Sequence, residues 1–456
     1  MTLAAQPLAV QGGKPLFDRE RHAKWPEVTD ADKQAVMRVL ERGVLSGSDA
    51  PEARALQDEF AKAHGVKFAL LCHSGTSALQ VAIGALGIGE GDEVIVPSYS
   101  FVATALAVIS QGAIPIFVDV HEDSGNIDAS KIEAAISPRT KAIMPVHVHG
   151  TPCDLGPINA IASKHGLALI EDAAQAHLAT YEGKPVGGFG RGAGFSLQSS
   201  KNLSAGEGGL YTTNDEALFE RANQVRNFAQ NIVRADSAAY DPKRPLDGHR
   251  GHVSLGVGSM YRGNEMMAAF ARTQLARLAE KTARSQQNGH RLAKALRELP
   301  GVSPQVIPSD RTTVFHKYRV WLDPKAAGLD LPPAQSSSSG ATPQARFRDA
   351  TIAALRAEGC EVVLWQGAAL PSFPLFTELK GFGKGFPFSA GDLERCRANY
   401  HAPYAGARAL LDSSIVLFSQ TCPLIAQSAE TVDLYAEAFR KVWSQRASLV
   451  ELARTS

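Results

Sequence analysis

Several features that mark broad classes of protein are scarce in this sequence of 456 residues. Its 5 cysteines are dispersed and form no C-x-x-C pair, which favours reduced thiols over a disulfide framework. The formal net charge of +1 offers no electrostatic basis for binding nucleic acid or an anionic membrane surface. No apolar run is long enough to span a bilayer, and residues 1–11 lack the charged start and apolar stretch of a signal peptide. We therefore expect a cytoplasmic protein that does not associate with membranes.

The sequence does contain a repeated pattern of strand, loop and helix between residues 68 and 213. Seven short apolar segments are predicted strands: 68–71, 93–96, 114–118, 141–146, 167–170, 193–197 and 210–213. Near-continuous apolar strands that alternate with helices favour a mostly parallel sheet covered on both faces. Two helices, over 30–42 and 51–64, are predicted before it. The fold class is therefore α/β, with a seven-stranded sheet.

The rest of the chain is predicted to form a smaller α+β domain. A long helix over 264–299 connects the two parts. Further strands are expected near 313–322, 361–365 and 415–418, and helices near 344–358 and 429–443. The chain thus divides into a lead-in at 1–28, a large domain at 29–285 and a small domain at 286–456. A polar loop at 229–258 and a serine-rich, flexible insertion at 325–343 interrupt the pattern.

One lysine, Lys201, follows the predicted strand 193–197 in a turn rich in polar residues and glycine. At the end of a buried strand its amine is desolvated, which lowers the pKa as a Schiff-base nucleophile requires. Ser196, five residues upstream, offers a hydroxyl to a phosphate, and the following glycines allow close backbone approach. An ordinary solvated turn lysine is the alternative.

An acidic residue, Asp172, follows the predicted strand 167–170, about thirty residues before Lys201. Ligands of open α/β sheets bind at the carboxyl ends of the strands, so both side chains are expected near one site. A carboxylate there would keep the pyridine nitrogen of pyridoxal 5'-phosphate protonated, which makes the ring an electron sink. Alone, Asp172 is equally consistent with a helix N-cap. Together with Lys201 it indicates a cofactor site.

The start of the helix predicted at 77–86 is a candidate phosphate site. Ser74, Gly75 and Thr76 lie where a strand gives way to this helix. A helix N-terminus presents free N–H groups and the positive end of the helix dipole. Ordinary capping by Ser74 or Thr76 is the alternative.

Five segments together carry a resemblance to a known family. They are SGTSAL at 74–79, PSYSFVAT at 97–104, HVHG at 147–150, EDAAQAH at 171–177 and FSLQSSKNLSAGEGG at 195–209. In this order and spacing, the chain resembles the DegT/DnrJ/EryC1/StrS aminotransferases, the sugar and aminocyclitol branch of the fold type I pyridoxal-phosphate enzymes. The resemblance runs from about residue 12 to residue 443 and is densest up to residue 213.

The resemblance implies pyridoxal phosphate as cofactor, with Lys201 and Asp172 as the catalytic residues. It implies that the residues binding the cofactor are Gly75, Thr76, Phe101, Asp172, Gln175, Ser196 and Lys201. Phe101 would stack on the pyridine face, a core phenylalanine being the alternative. Gln175 would contact the phenolic oxygen, and a helical turn between it and Asp172 would place both side chains on one face.

Two further residues are predicted to contact substrate, namely His177 and Gln198. Gln198 stands where sugar-type relatives carry histidine or tyrosine, and it resembles the glutamine-using branch that makes aminocyclitols and aminohydroxybenzoate. Satisfying backbone groups of its own turn is the alternative role for Gln198. His147 and His149 alternate on a predicted strand and so point to the same side. No third ligand is evident, so we expect no metal site there.

The sequence departs from the family at two places. Leu178 stands where relatives have glycine, and Met260 replaces the asparagine of an Asn-Tyr-Arg pattern. In relatives this asparagine reaches the phosphate of the neighbouring subunit, and Met260 puts that contact in question.

The implied activity is that of a homodimeric aminotransferase. Its partners would be small molecules: L-glutamine or L-glutamate as amino donor and a keto-sugar or keto-cyclitol as acceptor, in amino-sugar, aminocyclitol or antibiotic biosynthesis. One alternative is a sugar dehydratase-like enzyme on the same cofactor, although such relatives carry histidine in place of Lys201. The other is a non-catalytic regulatory protein that binds the cofactor.

Overall fold

The computed structural model describes residues 6–47, 50–230, 254–331, 341–419 and 421–455. Their strands are β1 Phe68–Cys72, β2 Glu93–Pro97, β3 Ile114–Val118, β4 Thr140–Ile143, β5 Ala168–Asp172, β6 Thr180–Tyr181, β7 Lys184–Pro185, β8 Gly192–Ser196, β9 Gly209–Thr213, β10 Val302–Pro304, β11 Tyr318–Leu322, β12 Val362–Val363 and β13 Ser414–Leu417. Most of the predicted polar loop (231–253) and the serine-rich part of the predicted insertion (332–340) lie outside the described residues.

The α-helices of the same residues extend from near the N-terminus to the end of the chain. They are α1 Asp30–Arg42, α2 Pro51–His64, α3 Gly75–Ala85, α4 Ala103–Ser110, α5 Leu155–His165, α6 Glu216–Arg226, α7 Glu265–Leu296, α8 Pro343–Ala357, α9 Pro374–Thr377, α10 Leu393–Tyr400, α11 Ala405–Ser413, α12 Ala429–Ser444 and α13 Arg446–Thr455. None of these described helices combines the length and apolar character that a membrane span requires.

The large sheet has the strand order β1-β9-β8-β5-β4-β2-β3. The strands β3, β2, β4, β5 and β8 are paired in parallel, whereas β9 runs antiparallel to both β8 and β1. Every residue of β2, β3 and β8 is buried, because helices cover both faces, and this explains their continuous apolar sequence. The prediction of a mostly parallel seven-stranded α/β sheet is confirmed.

Helix α3 lies close against the sheet at β8. A Cβ atom on Gly194 of β8 would fall 2.6 Å from Cδ2 of Leu79 on α3, so only glycine permits this approach. The contact holds the N-terminus of α3 beside the carboxyl end of β8, where Ser196 lies.

The C-terminal part has its own antiparallel sheet, in the order β10-β11-β13-β12. Its core contains Phe347, Tyr435 and Trp443 from the helices α8 and α12. Helix α7 contributes Leu278 to the core of the large sheet and Leu292 to the second core, so it connects the two. Strand β10 and the helices α10 and α11 were not predicted.

Two segments pack away from the domain to which their sequence position assigns them. Phe376, Phe388 and Tyr400 follow residue 286 but belong to the core of the large sheet. Leu8 and Phe17, from the predicted lead-in, belong to the core of the C-terminal part. The local sequence pattern could not predict which core these residues join, because that depends on which apolar surface lies nearest in space.

A buried carboxylate, that of Glu171, fixes the carboxyl end of β5. It accepts hydrogen bonds from the N–H groups of Gly187 and Phe189 over 2.8 Å and of Gly190 over 3.0 Å. Its Oε2 also lies 3.3 Å from Nε2 of His147. Burial raises the pKa of Glu171, but the bonds from His147 and the backbone outweigh it and hold the pKa below its usual value. The neighbouring residue, Asp172, is thereby held in place.

The variant Glu171→Gln should lower the free energy of unfolding by about 2–3 kcal/mol, because an amide replaces the charged acceptor of several buried donors. Since the folded-state pKa is lowered, this stabilisation is present above the unfolded pKa and is lost as the pH falls through the folded value. The difference between variant and wild type in urea unfolding should therefore shrink below about pH 4.

The matched control is Glu133→Gln. Glu133 is exposed and pairs with Lys164 and His165 on the surface, so little change in stability is expected. Equal losses in the two variants at pH 7 would show that the Glu171 carboxylate does not anchor the strand.

Candidate active site

Lys201 lies in the turn that joins β8 to β9, at the carboxyl end of the parallel strands. The N–H of Leu197 donates to the carbonyl of Gly208 over 2.8 Å and closes this turn. Trp25 Nε1 donates to the carbonyl of Lys201 over 3.0 Å, which ties the N-terminal segment to it. Burial lowers the pKa of Lys201 to about 8, against the opposing effect of the Asp172 carboxylate. At neutral pH the amine is therefore closer to its uncharged, nucleophilic form than an ordinary lysine.

Asp172 is the last residue of β5 and its side chain is buried. Its Oδ2 accepts a hydrogen bond from the hydroxyl of Thr104 over 2.7 Å, and its Oδ1 accepts from the N–H of Ala174 over 3.2 Å. Burial raises the pKa of Asp172, although Thr104, Ala174 and the charge of Lys201 act in the opposite direction. A cationic group placed against this carboxylate would lower its pKa and favour the charged form.

The first turn of α3 meets the end of β8. The N–H of Ser77 donates to Oγ of Ser74, and the N–H of Ser74 donates to Oγ of Ser77, each over 3.0 Å. Ser74 therefore caps α3, as the alternative interpretation of this segment predicted. The N–H groups of Gly75 and Thr76 still have no intrahelical partner. A Cβ atom on Gly75 would fall 2.6 Å from Cβ of Ser196 and 3.1 Å from its Oγ. Two of the predicted phosphate-binding residues, Gly75 and Ser196, are thus in contact.

The surroundings of Phe101 and Gln175 each rule out one statement made from the sequence. The side chain of Phe101 is 56% exposed, so the alternative of a core phenylalanine is wrong. Gln175 is buried, and its Oε1 accepts a hydrogen bond from the N–H of His149 over 2.8 Å. The predicted helical turn between Asp172 and Gln175 is wrong, because the chain after β5 forms successive turns instead. Any contact of Gln175 with a cofactor stays a prediction.

The prediction that His147 and His149 share one face of a strand is wrong. Strand β4 ends at Ile143, and His149 has a left-handed backbone with φ of 57°. The ring of His147 turns to Glu171, whereas the ring of His149 lies 3.3 Å from a guanidinium nitrogen of Arg319. Within the described ranges no cluster of three or more histidine, cysteine, aspartate or glutamate side chains is arranged to hold a metal.

The two predicted substrate residues have other contacts in the folded chain. His177 is buried, with its ring centroid 5.5 Å from that of Phe195. Gln198 Oε1 accepts from the N–H of Ser200 over 2.9 Å and from its hydroxyl over 2.7 Å, and Gln198 Nε2 donates to the hydroxyl of Ser199 over 2.8 Å. Gln198 therefore stabilises its own turn, which is the alternative role given for it from the sequence. Contact of either residue with substrate stays a prediction.

Sequence reasoning missed several residues at or beside the predicted site: Thr104 bonds to Asp172, the charge of Lys201 acts on Lys317, and Arg319 contacts His149. Thr104 lay within a matched segment, but its bond to Asp172 had no local signal. Lys317 directly precedes β11 and Arg319 is its second residue. Both are more than a hundred residues from Lys201 in sequence. No periodicity or motif linked them to the site.

The residues present fit pyridoxal phosphate. The lysine with a lowered pKa can bond to the aldehyde carbon, and the buried acid can pair with the protonated ring nitrogen. The close approach of Gly75 to Ser196, which depends on the absence of a side chain on Gly75, brings the Ser196 hydroxyl and the free N–H groups of α3 together, where they can bind a phosphate. The exposed ring of Phe101 is available for stacking. Fold and site together define a fold type I enzyme that depends on pyridoxal phosphate.

The comparisons with known proteins identify the family. The model of the DegT/DnrJ/EryC1/StrS aminotransferase family matches residues 26–331, and the chain belongs to this family. It is a pyridoxal-phosphate-dependent aminotransferase, as the five sequence segments predicted.

Two curated relatives and one solved structure illustrate the similarity. The chain is 36% identical over 341 residues to the L-glutamine:2-deoxy-scyllo-inosose aminotransferase of Streptomyces kanamyceticus, which covers 73% of this chain and 77% of the relative. It is 37% identical over 300 residues to the dTDP-3-amino-3,4,6-trideoxy-alpha-D-glucose transaminase of Streptomyces venezuelae, covering 65% and 74% respectively. The crystal structure of 3-amino-5-hydroxybenzoic acid synthase matches with a TM-score of 0.75 at 27% identity, covering 97% of this chain and 100% of that one.

Borohydride treatment of the cofactor-loaded protein should fix the cofactor on Lys201, as read by peptide mass spectrometry. The rate of attachment should rise with pH only to about 8, because above that pKa the amine is already uncharged. Lys201→Ala should still bind the cofactor without a covalent bond but lose turnover. The control Lys184→Ala removes an exposed lysine and should leave both unchanged. Labelling of another lysine would contradict the assignment.

Asp172→Asn should lower the rate of amino transfer by several orders of magnitude while the cofactor stays bound, because the lost charge acts in a site with little water. Steady-state kinetics and cofactor absorbance measure the two effects separately. Asp154→Asn, at an exposed carboxylate near Tyr181, is the control. A loss below about tenfold in Asp172→Asn would mean that another group protonates the ring.

Proposed function

We propose that this aminotransferase moves an amino group from L-glutamine or L-glutamate to a keto-sugar or keto-cyclitol, as a step of amino-sugar or aminocyclitol biosynthesis. The observation that carries the proposal is the convergence of Lys201, Asp172 and the contact between Gly75 and Ser196 at one edge of the sheet. The relatives support the substrate class, because their names specify L-glutamine with 2-deoxy-scyllo-inosose and a dTDP-linked amino sugar.

Each part of the cofactor would have its own partner. Ser196 and the N–H groups of Gly75 and Thr76 would bind the phosphate, and the ring of Phe101 would lie against the pyridine. Asp172 would hold the proton at the pyridine nitrogen. Bound in this way, pyridoxal phosphate supplies an electron sink for the negative charge that develops at the donor Cα.

Lys201 would be the group that moves protons during transfer. Its amine would take the proton from the donor Cα and return it at the cofactor carbon that has received the amino group. A pKa of about 8 suits both steps, since an acid–base catalyst works best when its pKa is near the working pH. After the keto acid leaves, the same side chain would act in the reverse order on the ketone acceptor.

The two alternatives to amino transfer are less well supported. A sugar dehydratase of this family would carry histidine in place of Lys201. A regulatory protein that merely binds the cofactor would not require a lysine amine with a lowered pKa near the Asp172 carboxylate.

We further propose that the active form is a homodimer. Four large apolar side chains in the connection between α6 and α7 are 44–96% exposed: Phe228, Leu255, Val257 and Met260. An exposed group of this kind is typical of a surface that a protein partner covers. Met260 has no amide with which to reach a partner's phosphate, so the proposal does not include that contact.

L-Glutamine should convert the bound cofactor to its amine form faster than L-glutamate does, as expected from the relative that uses L-glutamine. The measurement is a stopped-flow half-reaction at matched donor concentrations with no acceptor. Gln198→Ala is the control: because its amide is engaged within its own turn, the variant should change the rates with both donors alike. A panel of nucleotide-sugar and cyclitol ketones then tests the second half-reaction.

The outcomes separate the parts of the proposal. A faster reaction with L-glutamate would contradict the donor and leave amino transfer standing. Failure of every sugar and cyclitol ketone would contradict the acceptor class. A cofactor spectrum that no amino acid changes would favour the non-catalytic alternative.

A further inference from the structure

Strand β11 divides its side chains between two environments. Tyr318, Val320 and Leu322 point into the core of the C-terminal part, as alternation along a strand requires. Arg319 points the other way, towards the large sheet, where its guanidinium meets Tyr99. Lys317 lies two residues before Arg319 and is also buried, with 2% of its surface exposed.

Arg319 is held by polar partners. Its Nη1 donates to the hydroxyl of Ser414 and its Nη2 to that of Tyr99, each over 2.5 Å. The ring of His149 lies 3.3 Å from the same Nη2. The position of this cation is therefore fixed by its contacts.

Lys317, in contrast, has no such partner. Within the described part of the chain no hydrogen-bond acceptor is in reach of its Nζ, and Nδ1 of the adjacent His316 is buried without a partner as well. Asn202, the residue after Lys201, donates from Nδ2 to the carbonyl of Val314 over 2.8 Å, which ties the turn of the catalytic lysine to the segment before β11. Burial and the charge of Lys201 lower the pKa of Lys317 to about 7. Glu361 acts in the opposite direction, but its carboxylate already accepts from the N–H of Ser419 and the hydroxyl of Thr421.

The carboxylates that act on the two lysines both have other partners. Asp172 acts on Lys201 and accepts from Thr104, and Glu361 acts on Lys317 but accepts from Ser419 and Thr421. A buried ammonium without a partner is unfavourable, and buried charges are normally paired. In the proposed arrangement the cofactor phosphate would not meet this need, since it would lie at Gly75 and Ser196.

We propose that Lys317 is a carboxylate-binding subsite of the active site and pairs with the carboxylate that a substrate carries beside its reacting carbon. One ammonium matches a monoanion, and an α-amino acid donor has such a carboxylate next to the carbon that loses its proton. The inference rests on the proposed function. The carboxylate comes either from the donor or from an acidic ketone acceptor.

The test is calorimetric titration of the cofactor-loaded protein with 2-oxoglutarate, which carries carboxylates but does not react with the aldehyde form of the cofactor. Lys317→Met should weaken binding about tenfold or more, as loss of a charged hydrogen bond predicts. The uncharged dimethyl ester should bind both proteins equally. Lys317→Arg should restore binding of the acid at least in part, because it restores the charge.

Tyr318→Phe is the matched control, since it removes a neighbouring buried hydroxyl that also lacks a partner but belongs to the opposite face of β11. It should leave both titrations unchanged. Wild-type affinity for 2-oxoglutarate in Lys317→Met would overturn the proposal. Equal losses for the acid and its ester would also overturn it, because they would indicate a merely structural role.

Half-reactions then identify the source of the carboxylate. A raised KM of Lys317→Met for L-glutamine, with no change for 4-aminobutanamide, assigns the subsite to the donor. A raised KM confined to a carboxylate-bearing ketone assigns it to the acceptor. Binding of 2-oxoglutarate through Lys317 in a protein that transfers no amino group would refute the proposed function while supporting the subsite, so the two can fail separately.

Discussion

The electrostatic relation between Lys201 and Asp172 is the constraint on which the rest of the site depends. Burial moves both groups towards their neutral forms, and the field of each opposes the shift of the other. A lysine whose pKa is lowered towards neutral pH and an acid whose charged form is favoured by a nearby cation suit amino transfer. The surrounding hydrogen bonds hold the elements near these groups: the carboxylate of Glu171 fixes the end of β5, which carries Asp172, and Ser74 caps α3, which meets the end of β8.

The second domain completes this arrangement. Arg319 on β11 donates to Tyr99, which follows β2 of the large sheet, and to Ser414 of its own sheet, so these two bonds tie β11 to the large domain. Lys317 brings a further ammonium into the field of Lys201. The balance of charge in the pocket is therefore set by two parts of the chain together.

The sequence predictions that failed share a physical cause. Alternation placed His147 and His149 on one face, but the ladder of β4 ends at Ile143, before either residue. A helical turn was assumed between Asp172 and Gln175, but the chain there forms irregular turns. The periodicity of apolar residues in a sequence indicates which side chains are buried, but it does not indicate where a strand ends.

The sequence by itself determined the seven strands of the large sheet, and it singled out Lys201 and Asp172 as candidates. These depend on local features: continuous apolar runs, polar turns at the strand ends, and glycines that admit close backbone approach. Only the tertiary structure decided the exposure of Phe101, the use of Gln198 within its own turn, and the approach of Lys317. Burial and electrostatic fields depend on distance in space, and residues more than a hundred positions apart carry no local sign that folding will bring them together.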